Sequence, residues 1–173
     1  MRTPKTSPGR AIELVGADHQ LLKNTIAGLS EAELRAPYSV ADGPLGHFCE
    51  SLHDLVGHVL MWDEINLAVL RDARNGRSHW SLGAAWETPE LGRALNIGGV
   101  ESARHIPSEL LVQRLDSVHA AFVAEIELYD DAAWADPATG GGFDGGVGAL
   151  AEYITAPPND NAFGHAAKHL VAK

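Results

Sequence analysis

His165 and His169 stand four residues apart in the run Asn161-Ala-Phe-Gly-His-Ala-Ala-Lys-His-Leu170. On a helix that spacing puts both imidazoles on one face, one turn apart. Two imidazoles so placed can grip one metal ion, as zinc-binding His-x-x-x-His helices do. Nine histidines in 173 residues also leave open the plainer reading of two partly exposed helix residues. A third histidine favours the metal. Leu55, His58, Trp62, Ile65 and Val69 are separated by steps of 3, 4, 3 and 4, the inward stripe of an amphipathic helix. His58 therefore occupies the place of a core leucine. A buried neutral imidazole needs partners for its polar atoms; a hydrogen bond is one and a metal is another. His53 lies roughly 140° further round the same helix and is expected to face elsewhere, as a solvated or interface residue.

Three histidines from two helices would form a facial set of nitrogen ligands. Three protein ligands leave coordination positions for water or a substrate atom, the open pattern of a catalytic metal. An all-imidazole set suits zinc first, with nickel, copper or iron(II) next, and disfavours calcium and magnesium. Such a metal lowers the pKa of a bound water or thiol. His19 is a fourth candidate, open as a ligand, a nearby base or a plain core residue. Trp62 follows His58 by one turn and is expected, with His19, to line a substrate pocket beside the metal. Filling the core is the alternative for both. Asp63 and Glu64 read as a solvated pair that could also orient a ligand. His47, His79, His105 and His119 carry no comparable argument.

The elements that must position these residues are helical. The first runs from about Ala11 to Gly28 on a stripe of Ile12, Val15, His19, Leu22 and Ile26. A short helix follows, with Ser30 and Glu33 in a capping box. The second long helix spans about Glu50 to Asn75. From Gly76 to Pro107 the sequence predicts a long irregular connection, with a helical piece over Pro89 to Leu95 and with Trp80 and Trp86 as packing anchors. Such a connection is often functional or a crossover. Pro107-Ser108 opens a third helix to Tyr129. The glycine-rich run Gly140–Gly146 lacks the Lys-Ser/Thr of a phosphate loop and reads as a linker. Two helical pieces close the chain, Val147 to Thr155 and, after Pro157-Pro158, a helix capped by Asn159 or Asp160 that reaches Ala172. No β-alternation is present. The prediction is an all-α four-helix bundle with a long crossover between the second and third helices. Residues 1–10 are expected to be a flexible tail and 11–173 one domain.

The formal charge of −10 argues against nucleic acid and anionic membrane surfaces as partners. The single cysteine, Cys49, excludes an internal disulfide and reads as a small apolar filler. The polar N-terminal segment has no apolar core of a secretory signal, and no stretch is long enough to span a bilayer. The expected location is the cytoplasm, the expected partner a small-molecule substrate, with a homodimer open. The acidic, alanine-rich composition suits a high-GC bacterium.

The order of an amphipathic first helix, a Leu-Ser-Glu-Ala-Glu-Leu34 turn, Leu-Val-Gly-His58-Val-Leu-Met-Trp-Asp-Glu64 and a terminal Gly-His165-Ala-Ala-Lys-His169-Leu resembles the DinB superfamily of metal-binding four-helix bundles. That group includes mycothiol- and bacillithiol-dependent transferases and ClbS/DfsB-type proteins. The resemblance covers about residues 11–172. It implies metal binding by His58, His165 and His169, and transfer of a low-molecular-weight thiol to a small electrophile. The residues themselves support an open metal site, with thiol or water as the added group. Two readings stand beside this one: a non-enzymatic binding or self-resistance protein, and structural histidines in a domain that mediates oligomer contacts.

Overall fold

The structure is a computed structural model that describes residues 6–40, 49–82, 89–139, 146–149 and 165–170. Helix α1 spans Pro8–Ile26. It starts three residues earlier than the apolar stripe suggests, because Ser7 accepts the Arg10 N–H and Pro8 pre-sets the first turn. Gly28, at φ 76°, turns the chain out of it. Helix α2, Glu31–Leu34, carries the expected capping box: the Ser30 side chain accepts the Glu33 N–H, and the Glu33 carboxylate accepts the Ser30 N–H. Helix α3, Leu52–Arg74, begins at Ser51, which caps the Asp54 N–H, and ends with Arg71 and Arg74 against the negative end of its dipole.

Between α3 and the next long helix, where the sequence predicts mostly irregular chain, Trp80–Leu82 forms a 3₁₀ turn and α4 spans Pro89–Ala103. Gly92, Gly98 and Gly99 weaken the helical signal there. Gly99 compensates through packing: a Cβ on it would lie 2.1 Å from the Met61 sulfur of α3. Trp80 is half exposed and its ring leans on His79; Trp86 lies outside the described residues. Helix α5, Ser108–Ile126, keeps the expected Leu111, Leu115, Phe122 and Ile126 stripe in the core. A short α6, Asp131–Ala135, follows, capped by Asp130. Residues 146–149 are helical, and a terminal helix His165–His169 closes the described chain. The glycine-rich run to Gly145, the remainder of the piece expected to Thr155, Pro157-Pro158 and the expected cap at Asn159 or Asp160 lie outside the described residues.

No strand occurs among the described residues. The architecture is an all-α bundle built around α3, which is buried on most of its circumference, as a central helix must be. It packs on α4, α5 and the terminal helix, while α1 packs on α5 and the terminal helix. His53 meets Ser108 near the start of both helices, and Arg74 meets Glu125 near their ends. Helices α3 and α5 therefore run parallel. Parallel neighbours need a long connection, and α4 supplies it. At the α3–α4 crossing a Cβ on Gly57 would fall 2.5 Å from the Ala103 Cβ. At the chain's start, the Trp134 indole N–H donates to the Thr6 carbonyl, which ties residue 6 to α6.

His53 departs from expectation. It is buried, with Nδ1 2.7 Å from the Ser108 hydroxyl and Nε2 3.1 Å from the Ala103 carbonyl. Its face of α3 is the one covered by α4 and the start of α5. That cover comes from the segment whose helix the sequence understates. No helix among the described residues is long and apolar enough to cross a membrane.

Candidate metal centre

His58 projects from the middle of α3, His165 and His169 from the terminal helix. One donor nitrogen of each lies within 4.8 Å of the other two. Ring centroids are 4.7 Å apart for His58–His165, 5.4 Å for His58–His169 and 5.2 Å for His165–His169. The rings are steeply inclined to one another, at 66°, 79° and 65°. Nε2 of His58 lies 2.9 Å from Nε2 of His165. Imidazole nitrogens held at about 2.0–2.1 Å from one zinc ion sit about 3 Å from each other, so this spacing fits a shared ion.

The electrostatics favour neutral rings. Burial pushes the His58 pKa well below its ordinary value, with His165 and His169 adding to the effect. Burial brings His165 down to about 3. Ligating imidazoles must be unprotonated. Without an ion the contact between the two Nε2 atoms requires one to donate and the other to accept. Whichever donates, one Nδ1 proton remains buried, and among the described residues neither Nδ1 has a hydrogen-bond partner. Three converging imidazoles, two of them (His58 and His165) held neutral by burial, thus fit a divalent borderline ion better than they fit one another.

Among the described residues the terminal helix spans five, His165–His169, and so short a helix does not hold itself. Asp18 of α1 secures it. The two carboxylate oxygens accept the Ala166 and Ala167 N–H groups, each at 2.8 Å. Asp18 was not singled out by spacing; only its position beside His19 on the inward side of α1 hints at it. Burial raises its pKa against the opposing pull of these backbone hydrogen bonds.

His19 lines a small cavity together with Asp18, Asp63, His119 and His165, so α1, α3, α5 and the terminal helix all contribute. The His19 ring is stacked on His119 at 3.9 Å and 4°, with its Nε2 3.0 Å from the Asp116 carboxylate. Trp62 is placed apart from this cavity. Its indole N–H donates to the Asn96 side chain of α4, and it packs with Ile65 and Val69. Asp63 is no solvated acid: its carboxyl end faces inward, where burial, then Asp18 and Glu64, push its pKa up to about 8. Glu64 does face outward and pairs with Arg114 at 2.6 Å. Cys49 is buried and its thiol is pushed up to about 12 by burial, as suits a filler.

No protein-family model and no curated protein sequence matches the chain. Solved structures do. The colibactin self-resistance protein ClbS, determined in complex with double-stranded DNA, superposes with a TM-score of 0.67 at 20% identity over 94% of both chains. An uncharacterised protein from Escherichia coli UTI89 superposes with a TM-score of 0.69 at 18% identity over 96% of this chain and 93% of that one. The expectation that nucleic acid is excluded as a partner is corrected by the first of these, since a protein of this fold is held on duplex DNA. The physical reason is that net charge is a sum over the whole molecule, whereas phosphates respond to local cations. The chain shares its all-α bundle fold with ClbS and with this Escherichia coli protein.

Proposed function

We propose that the chain is a small metalloprotein of self-resistance type, in which His58, His165 and His169 hold one divalent ion, zinc first, and a small electrophilic molecule is disarmed beside it. The convergence of three buried imidazoles from two helices carries this reading. When bound, such an ion supplies Lewis acidity and lowers the pKa of a coordinated water or thiol. The chain's own residues do the rest. Burial keeps the three rings in place, and Asp18 fixes the pitch of the helix bearing two of them. The reaction class is addition of water or of a low-molecular-weight thiol to the electrophile. Stoichiometric capture without turnover is the alternative.

Elemental analysis of the purified protein, paired with turnover of a model electrophile with and without added thiol, tests this. About one equivalent of metal is expected, lost in the His165→Ala, His169→Ala double variant. Full occupancy in that variant ends the proposal. Metal with no turnover under either condition selects capture.

The DNA complex of ClbS motivates a second reading, in which duplex DNA is also a partner here. Arg71, Arg74 and Arg77 cluster at the end of α3, each about half exposed or more. Their carboxylate partners are Glu125, shared by two of them, and Asp72. Three cations against two carboxylates leave a local excess that phosphates could use. Duplex binding that weakens with salt and with Arg71→Ala, Arg74→Ala supports it. Salt-independent or absent binding removes it.

A further inference from the structure

The cavity beside His165 leaves about 10 Å³ for the centre of a water-sized sphere. About 10–15 Å³ holds one water molecule; a thiol or a substrate fragment is too large. Its walls are apolar at Val15, Leu22, Val59 and Phe122, and an apolar void of this size would stay dry. Polar groups break the pattern. His119 lines the cavity, and its Nδ1 is buried with no hydrogen-bond partner among the described residues. Asp63 lines it with an inward carboxyl. Asn66 is 2% exposed, and neither its amide nitrogen nor its amide oxygen has a partner among the described residues.

These groups share one layer of the bundle. Asn66 follows Asp63 by three positions and so shares its face of α3. Counting along the parallel helices from the His53–Ser108 and Arg74–Glu125 contacts brings Asn66 level with residues 117–121 of α5, where His119 lies. An unpartnered buried amide or imidazole is costly, and buried waters occur where two to four such groups surround a space of their size.

We propose that this cavity is a built water site: one ordered water donates to or accepts from Nδ1 of His119 and bonds the Asp63 carboxyl, both of which belong to residues that line it. The site belongs to the bundle interior and does not require a metal. The stack on His19, itself tied to Asp116, fixes the ring that holds it. His165 forms part of the same wall, so the water adjoins the histidine triad from the interior side.

A crystal structure of the full chain at a resolution that shows ordered water decides the matter. The expected result is one water within hydrogen-bond distance of His119 Nδ1, and its loss in His119→Phe. Oxygen-17 relaxation dispersion in solution should count one fewer long-lived water in that variant. A dry cavity in the wild type, or a protein atom bonded to Nδ1, overturns the proposal, as does a water that persists unchanged in His119→Phe. Should the variant not fold, the wild-type density alone decides. Metal content measured on the same crystals keeps the two proposals apart: water at His119 in protein that takes up no zinc supports this site and counts against the metal.

Discussion

Asp18 accepts the backbone N–H of Ala166 at 2.8 Å across 148 positions of sequence. A side chain of the first helix thereby caps the helix that carries two of the three converging histidines. Asp18→Ala is expected to lower stability by about 1–2 kcal/mol, the worth of a lost cap, and to weaken zinc affinity at least tenfold by loosening His165 and His169. Asp18→Asn, which keeps one acceptor, should fall between. Zinc titration with a competing chelator measures the affinities. Wild-type affinity in Asp18→Ala would show that the triad holds its geometry unaided.

His53 tests the difference between a buried histidine and a ligand. Its two nitrogens are occupied by Ser108 and the Ala103 carbonyl. Removing the ring leaves a cavity and an unmatched carbonyl, so His53→Ala should cost about 2–4 kcal/mol while metal content stays at the wild-type level. Urea unfolding and elemental analysis on the same preparation read both. Loss of metal without loss of stability would reverse the assignment.

Gly57, next to His58, lets α3 and α4 approach. Because an added Cβ would sit 2.5 Å from the Ala103 Cβ, Gly57→Ala should destabilise by about 1–3 kcal/mol through overpacking, despite alanine's better helix propensity. Pairing it with Ala103→Gly should restore most of the loss. A stabilised single variant in thermal melts would mean that the helices part easily.

Stability should turn over with pH. The Asp63 carboxyl, held up to about 8 when folded, takes its ordinary value of about 3.9 when unfolded. Its contribution is therefore full below about pH 4 and is lost as pH rises through 8. His165, down to about 3, and His119, down to about 4, have the opposite sign. Their contribution is full above about pH 6.5, the unfolded value, and is lost as pH falls toward their folded values. In metal-free buffer the wild type should lose stability between pH 6.5 and 8.5, and again below pH 6. Asp63→Asn should abolish the alkaline loss alone. Denaturant midpoints across that range check it, and identical alkaline slopes in both proteins would place the Asp63 carboxyl in solvent.

The helices and the triad were legible because both depend on period. Leu111, Leu115, Phe122 and Ile126 recur as a buried stripe, and His58 occupies a core position of such a stripe. The capping box at Ser30 and Glu33 is a local rule and holds locally. What spacing could not supply was partnership between distant segments. Asp18 looks like any polar residue until Ala166 and Ala167 arrive to be capped. His119 gains its interest only from stacking on His19. Helix α4 was understated because its glycines are poor for a helix alone, and the one that answers to Met61 across the interface, Gly99, shows its use only in the packed structure. His53 was assigned outward for the same reason, since the elements that cover it were the ones least visible. Trp62 shares the His58 stripe, yet Asn96 draws its indole toward α4, a choice of rotamer and partner that periodicity does not encode.

The Asp18 cap also orders events in the life of the chain. His58 and His165 are 107 positions apart, so closing the triad is a long-range contact, and such contacts form late and open early. During synthesis the α3 imidazole must wait, solvated or mispaired, until the helix bearing His165 and His169 has been made. Once formed, the same five-residue helix is the segment from which local unfolding should begin. An ion gripped there would act as a latch on assembly, shielding the last segment from proteases and making loaded and unloaded protein differ more in lifetime than in shape.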